Sequence, residues 1–128
     1  MAGGIDSKTN YSAEYVRTFN RNAATDSADA ISARVEIVRT EYGVPHILAE
    51  DLKGMGFGLG YVQSEDYGAL VAIGLVKGRG TYARHVGIDS IDGDFQARET
   101  HARAVATFHR LDPRAQAVYA GFAAGVNH

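Results

Sequence analysis

The chain has 128 residues, a net charge of −2 and an isoelectric point near 6.2, so it lacks the excess of basic residues that nucleic-acid-binding proteins carry. The absence of cysteine excludes a disulfide framework and thiolate chemistry. Its longest apolar run, at 69–76, is far shorter than the roughly 20 residues that span a bilayer, so we expect neither a nucleic-acid nor a membrane partner.

The first 32 residues differ in composition from the rest of the chain. Residues 1–32 are polar, rich in Ser, Thr, Asn, Asp and Ala, and show no sustained apolar period. We predict a loosely held polar arm there, with a short helix around Ala13–Phe19. The stretch has no apolar core of the secretory type, so we expect no signal peptide in this chain. Residues 33–128 form the second predicted unit, an incomplete domain.

A β-hairpin is predicted at the start of this second unit. In ARVEIVR at 33–39, Val35 and Ile37 alternate with Glu36, as in a half-buried strand. A turn follows at 42–43, and a second short strand runs through His46–Ala49. Pro45 restricts that strand to an edge or to its own first residue.

The stretch GMGFGLGY at 54–61 is predicted to be helical, with Asp51 as the N-cap. In helical register the glycines pair four residues apart, Gly54 with Gly58 and Gly56 with Gly60. Four glycines cost a helix roughly 3–4 kcal/mol relative to alanine, so close packing must offset that cost. We therefore predict a helix that is buried nearly all round. Its apolar stripe consists of Leu52, Met55, Leu59 and Val62.

Three more helices are predicted downstream. An acidic break at Glu65-Asp66 precedes a second helix that is apolar on nearly every side, reaches about Lys77 and ends at Gly78 and Gly80. The third runs from Phe95 to about Arg110, with Asp94 as its cap. Asp112-Pro113 opens the fourth, since the pair supplies an N-cap and a proline at the first helical position. The apolar stripe of the fourth helix consists of Ala115, Val118, Tyr119, Phe122 and Val126.

The predicted fold class is α+β, a mostly helical fragment with a short N-terminal β-hairpin. One hairpin and two amphipathic helices provide too little surface to cover two consecutive helices that have no polar face. We infer that the chain is part of a larger protein and exposes a large apolar surface that a partner covers.

Nucleotide and metal chemistry find little support in the sequence. The glycine run gives G-x-G-x-G inside a helical pattern, which matches neither a dinucleotide fingerprint nor a phosphate-binding loop. The histidines at 46, 85, 101, 109 and 128 lack the helical i, i+4 spacing of a zinc site. We expect close helix packing for the glycines and no metal site.

Acid–base and nucleophilic candidates are also weak. Arg98 lies on an apolar helix face, and we predict an ion pair with Asp94 in preference to a role in a substrate pocket. Glu65 and Asp66 point 100° apart on a helix, which favours capping of the second helix over shared acid–base work. None of the six serines lies in a G-x-S-x-G elbow. We therefore predict no catalytic residue, and the substrate-binding residues stay unknown.

Two motifs nevertheless resemble a known family. YGVPHI at 42–47 follows Arg39, and GYVQSED at 60–66 closes the glycine-rich helix. They resemble R-D-x-Y-G-V-P-H-I-x-A and G-Y-x-Q-A-E-D near the start of the α chain of penicillin-acylase-type N-terminal-nucleophile hydrolases. Later segments, KGRGTYARHVG and LDPRAQAVYAGFAAGVNH, resemble two more stretches of that chain. The resemblance covers about 33–128 and is nearer to the aculeacin and acyl-homoserine-lactone acylase branch than to penicillin G acylase.

This resemblance implies an αββα fold and hydrolysis of the amide bond of an N-acylated small molecule, such as a β-lactam, a lipopeptide or an acyl-homoserine lactone. It implies a precursor that cuts itself into α and β chains, with the nucleophilic serine at the β-chain N-terminus and its own α-amino group as base. It implies no cofactor, permits a structural calcium for which no ligands are identifiable here, and points to a periplasmic or secreted enzyme. No catalytic residue transfers to this chain, so we expect it to be inactive without the β chain. The alternative hypothesis is a non-enzymatic remnant or helical interaction module that lacks a catalytic partner.

Overall fold

The computed structural model describes residues 26–128, so the helix predicted around Ala13–Phe19 lies outside the described part. The architecture is mostly helical with one antiparallel hairpin, which confirms the predicted class. Its elements in chain order are α1 (Ala28–Ser32), β1 (Val35–Arg39), β2 (Pro45–Ala49), α2 (Leu52–Gly78), α3 (Ala83–Val86), a 3-10 turn (Ile88–Ser90), α4 (Ile91–Thr107), a 3-10 turn (Phe108–Arg110) and α5 (Pro113–Val126).

The end of the predicted polar arm is packed onto the rest of the molecule. Ser27 caps α1 by accepting a hydrogen bond from the Ala30 backbone N–H. Ile31 is only 1% exposed, and α1 contacts both α2 and α5. The boundary at residue 32 stays a prediction, but the last turn of the arm contributes to the core.

The hairpin forms as its sequence predicts. β1 and β2 pair antiparallel from Val35 opposite Ala49 to Arg39 opposite Pro45. Pro45 is the first residue of its strand, where its missing N–H breaks no interior ladder bond. Gly43 takes φ +77° in the connecting turn, a conformation that glycine adopts without steric cost.

α2 consists of two helical segments joined at a kink, as the two helices predicted over 52–77 require. Asp51 caps it as expected, because its carboxylate accepts from the Gly54 N–H at 2.7 Å. The chain kinks at Tyr67 (φ −135°, ψ 31°) and then resumes the helix to Gly78. The predicted break at Glu65-Asp66 is therefore confirmed to within one residue, since the irregularity follows these two helical residues directly.

Burial along α2 also differs from the prediction of a helix covered on all sides. The glycine faces of its first half are buried, whereas Leu59 in the predicted apolar stripe is 37% exposed. Beyond the kink, Leu70 is 67% exposed and Leu75 is 51% exposed. The buried residues of α2 all lie between 53 and 62, so its second half leaves most of its apolar side chains exposed.

The first half of α2 packs against α5 backbone to backbone. Added Cβ atoms at Gly56 and Gly60 on α2, and at Gly121 and Gly125 on α5, would lie only 1.9–2.3 Å from carbonyl oxygens of the facing helix. Because no side chain fits at such distances, this glycine seam requires all four glycines. The facing carbonyls belong, in that order, to Val118, Phe122, Lys53 and Phe57. Along each helix the contacted residue number rises with that of the glycine, so the two helices run in the same direction.

Gly54 and Gly58 on α2 face the hairpin instead. A Cβ at Gly58 would lie 2.5 Å from Cγ2 of Ile47, and one at Gly54 would lie 3.1 Å from Cγ2 of Val35. The glycine-rich stretch thus brings two different neighbours close at once, as the predicted i, i+4 pairing requires.

The last two helices show one confirmed start and one wrong start. Asp112 caps α5 through the Arg114 N–H at 2.8 Å, with Pro113 in the first turn as predicted. By contrast, α4 begins at Ile91, so Asp94 lies inside the helix and does not cap it. Within 26–128, no helix has the length and apolarity that a membrane span requires.

Candidate functional site

Arg39 joins the two family-like motifs in space. Its guanidinium donates to Oε2 of Glu65 at 2.5 Å, to both oxygens of Asp66 at 2.8 and 3.2 Å, and to the Gly43 carbonyl at 2.9 Å. The same side chain therefore fixes the hairpin turn and the last helical residues before the Tyr67 kink. We call these four residues, Arg39, Gly43, Glu65 and Asp66, the hairpin clamp.

The electrostatics of the hairpin clamp favour a permanent cation. Hydrogen bonds to Glu65 first and Asp66 second raise the pKa of Arg39 above its ordinary value. Neither carboxylate accepts a backbone N–H in the described part of the chain, so the predicted capping role of Glu65-Asp66 was wrong. Their proximity serves one arginine, which makes the pair a positioning element and not an acid–base dyad.

A second polar node lies where α3 meets α4. Asp94, only 7% exposed, accepts from the backbone N–H groups of Tyr82 and Ala83, both at 2.9 Å. The predicted ion pair between Arg98 and Asp94 does not form. Instead, Arg98 Nε donates a hydrogen bond to the Gly80 carbonyl at 2.8 Å. Gly80 itself has φ +67° and lies against Arg98. Asp94 thus caps the start of α3, which lies 11 to 12 residues earlier in the sequence.

A groove of about 310 Å³ opens beside this node. Sequence reasoning missed it, because its walls come from α3, the following 3-10 turn and α4, which no local period connects. The groove is lined by Thr81, Ala83, Arg84, Ile88, Ile91, Asp94, Phe95 and Arg98.

The sequence also missed the seam face of α5. The buried residues of that helix are Ala117, Gly121 and Gly125, whereas Tyr119 of the predicted stripe is 60% exposed. The small residues at i, i+4 spacing in AGFAAG repeat the signal seen at Gly56 and Gly60, and this pattern could have revealed the matching face.

No nucleophile–base pair is assembled among residues 26–128. Ser64 Oγ is buried without a hydrogen-bond partner, and no histidine side chain in this range bonds to a serine or a carboxylate. The His128 ring lies 5.3 Å from that of Phe57, an aromatic contact. No group of three His, Cys, Asp or Glu side chains in the same range could hold a metal ion.

The chain is similar to one family of known proteins in both sequence and fold. A family model described as penicillin amidase matches residues 34–128. The chain is 36% identical over 107 residues to acyl-homoserine lactone acylase PvdQ of Pseudomonas syringae pv. syringae, covering 75% of this chain and 14% of that protein. It is 32% identical over 102 residues to penicillin G acylase of Escherichia coli, covering 78% and 12%. Aculeacin-A acylase of Actinoplanes utahensis is 44% identical over 64 residues, covering 50% and 8%.

The fold comparison agrees with the sequence comparison. A thermostable penicillin G acylase from Alcaligenes faecalis superposes with a TM-score of 0.62 at 27% identity, covering 73% of this chain and 51% of that chain. The matches span only 8–14% of the length of the three relatives named above.

Proposed function

The chain belongs to the penicillin amidase family, and on that premise we propose that it forms the N-terminal part of the α chain of an acylase. The reaction is hydrolysis of the amide bond of an N-acylated small molecule, with β-lactams, lipopeptides and acyl-homoserine lactones as the substrate classes. The observation that carries the proposal is the continuous family match over 34–128, since the named relatives are all acylases.

In this proposal the chemistry resides on a β chain cut from the same precursor. The hydroxyl of its N-terminal serine attacks the amide carbon, and the α-amino group of that serine takes the proton and returns it to the leaving amine. Water then hydrolyses the acyl-serine ester and regenerates the nucleophile. The scheme uses no cofactor, and we place the assembled enzyme in the periplasm or outside the cell.

This chain contributes the scaffold on which the β chain is positioned. The glycine seam sets the distance between α2 and α5, and the hairpin clamp holds the hairpin against the kink in α2. These two features support a role in positioning, because displacement by about 1 Å of a distant element can reduce catalysis by 10²-fold.

A chimera tests the proposal. Residues 34–128 replace the aligned segment of the Pseudomonas syringae acylase, and the purified product is assayed for self-cleavage and for hydrolysis of an acyl-homoserine lactone. We expect two processed chains and measurable turnover. A matched chimera carrying Gly56→Leu, which places a side chain against the α5 backbone, should lose both. A well-folded chimera that neither processes nor hydrolyses the substrate would contradict the proposal.

A further inference from the structure

The groove between α3 and α4 combines cationic and apolar side chains. We call it the arginine groove and define it by Arg84, Arg98, Ile88, Ile91 and Phe95. Its volume of about 310 Å³ lies at the lower end of the range for small-molecule pockets.

The positive charge of the arginine groove is uncompensated in the described part of the chain. Neither Arg84 nor the terminal nitrogens of Arg98 have a hydrogen-bond or ion-pair partner within 26–128. Arg34, Arg39 and Arg103 differ, because each forms an ion pair with at least one carboxylate. Asp94 lies at the base of the groove, but its two oxygens are occupied by the Tyr82 and Ala83 N–H groups. The residues that line the groove therefore carry a net charge of +1, from two arginines and one aspartate, while Asp89 and Asp92 lie on the same elements outside the lining.

The apolar walls are open and do not enclose a ligand. Ile88 is 71% exposed and Phe95 is 64% exposed, whereas a small-molecule site buries most of its ligand. Arginine and aromatic side chains are enriched in protein–protein interfaces. The groove consequently fits a polypeptide better than a free small molecule.

We propose that the arginine groove docks an acidic segment of the polypeptide that completes the acylase, with a carboxylate between apolar side chains. The carboxylate pairs with Arg84 and Arg98, and the apolar neighbours cover Ile88 and Phe95. This inference rests on the proposed function, and it identifies the surface of this chain that the completing polypeptide binds. The solved penicillin G acylase chain has further polypeptide that could supply such a segment, since this chain matches only 51% of it.

The test measures binding between the chain and a complementing polypeptide, the part of the Pseudomonas syringae acylase that has no counterpart here. Arg84→Glu should weaken binding at least about 10-fold, because it opposes a carboxylate with a like charge. Arg84→Lys keeps the charge and should retain most of the affinity. Arg110→Glu changes an exposed arginine outside the groove and serves as the matched control. Circular dichroism of each variant verifies that it is folded.

Binding of the unmodified chain should also weaken as salt is raised, and that salt dependence should be smaller for Arg84→Glu. Equal weakening by Arg84→Glu and Arg110→Glu would overturn the proposal, as would an absence of binding by the unmodified chain. Saturable, Arg84-dependent binding of laurate would overturn it in favour of a small-molecule site. The chimera's turnover tests the proposed function separately, so a failure of one is distinguishable from a failure of the other.

Discussion

At the residue scale, four glycines are required because backbone occupies the place of a side chain. Each glycine of the seam faces a carbonyl oxygen that an added Cβ would meet at 1.9–2.3 Å. Unlike a flexible side chain, backbone within a helix cannot move aside without loss of its own hydrogen bonds. The backbone of the facing helix therefore restricts these four positions to glycine.

Alanine substitution distinguishes the seam glycines from the others. Gly56→Ala should lower the free energy of unfolding by about 1–3 kcal/mol or more, because overpacking separates α2 from α5. Gly74→Ala in the same helix is the matched control, since no atom lies within 4 Å of its added Cβ, and it should stabilise the chain by about 0.5–1 kcal/mol. Urea unfolding followed by circular dichroism measures both. Similar effects of the two substitutions would refute the seam.

The lowered pKa of Asp112 predicts that the stability of the chain depends on pH. Hydrogen bonds from the Arg114 side chain and backbone lower the pKa of Asp112 from 3.8 to about 2. Because the folded pKa is depressed, the stabilisation is present above pH 3.8 and is lost as pH falls through about 2. The stability difference between the chain and Asp112→Asn should shrink over this window. A difference that is independent of pH between 2 and 4 would show that the carboxylate does not stabilise the start of α5.

At the element scale, local signals were sufficient where the bonded partner is close in sequence. Asp51, Pro45 and Asp112 were all placed correctly, since each cap or strand start is determined within a few residues. Asp94 was not, because its partners lie 11 and 12 residues earlier, at the start of α3. The kink in α2 at Tyr67 also has a local signal, since the acidic pair Glu65-Asp66 that precedes it predicted a break there.

The hairpin clamp should determine the direction of α2 beyond its kink. Arg39→Gln removes the charge that holds Glu65 and Asp66, so the second half of α2 should sample a wider range of angles. Spin labels on β2 and near Leu75 report this as a broader distance distribution by electron paramagnetic resonance.

Arg103→Gln is the matched control for the clamp, since its partner Glu99 lies on the same helix and their pairing spans no second element. An unchanged distribution in Arg39→Gln would mean that the kink is fixed by other contacts.

At the scale of the whole molecule, the described residues leave much apolar surface without a neighbour. Leu70, Ile88 and Phe95 are each more than 60% exposed, although the sequence around the first is apolar on nearly every side. A surface of this kind marks an interaction site. Together with the family match over 34–128, it supports the proposal that the chain is part of a larger acylase.

The most direct test compares three samples: this chain, the complementing polypeptide, and the two co-expressed and purified as a complex. Each is assayed for release of the free acid from an acyl-homoserine lactone and from an N-acyl lipopeptide. We predict turnover by the complex alone, with no activity in either separate polypeptide. Turnover by the 128-residue chain alone would contradict the assignment of catalysis to a second chain, and a stable but inactive complex would contradict the acylase proposal itself.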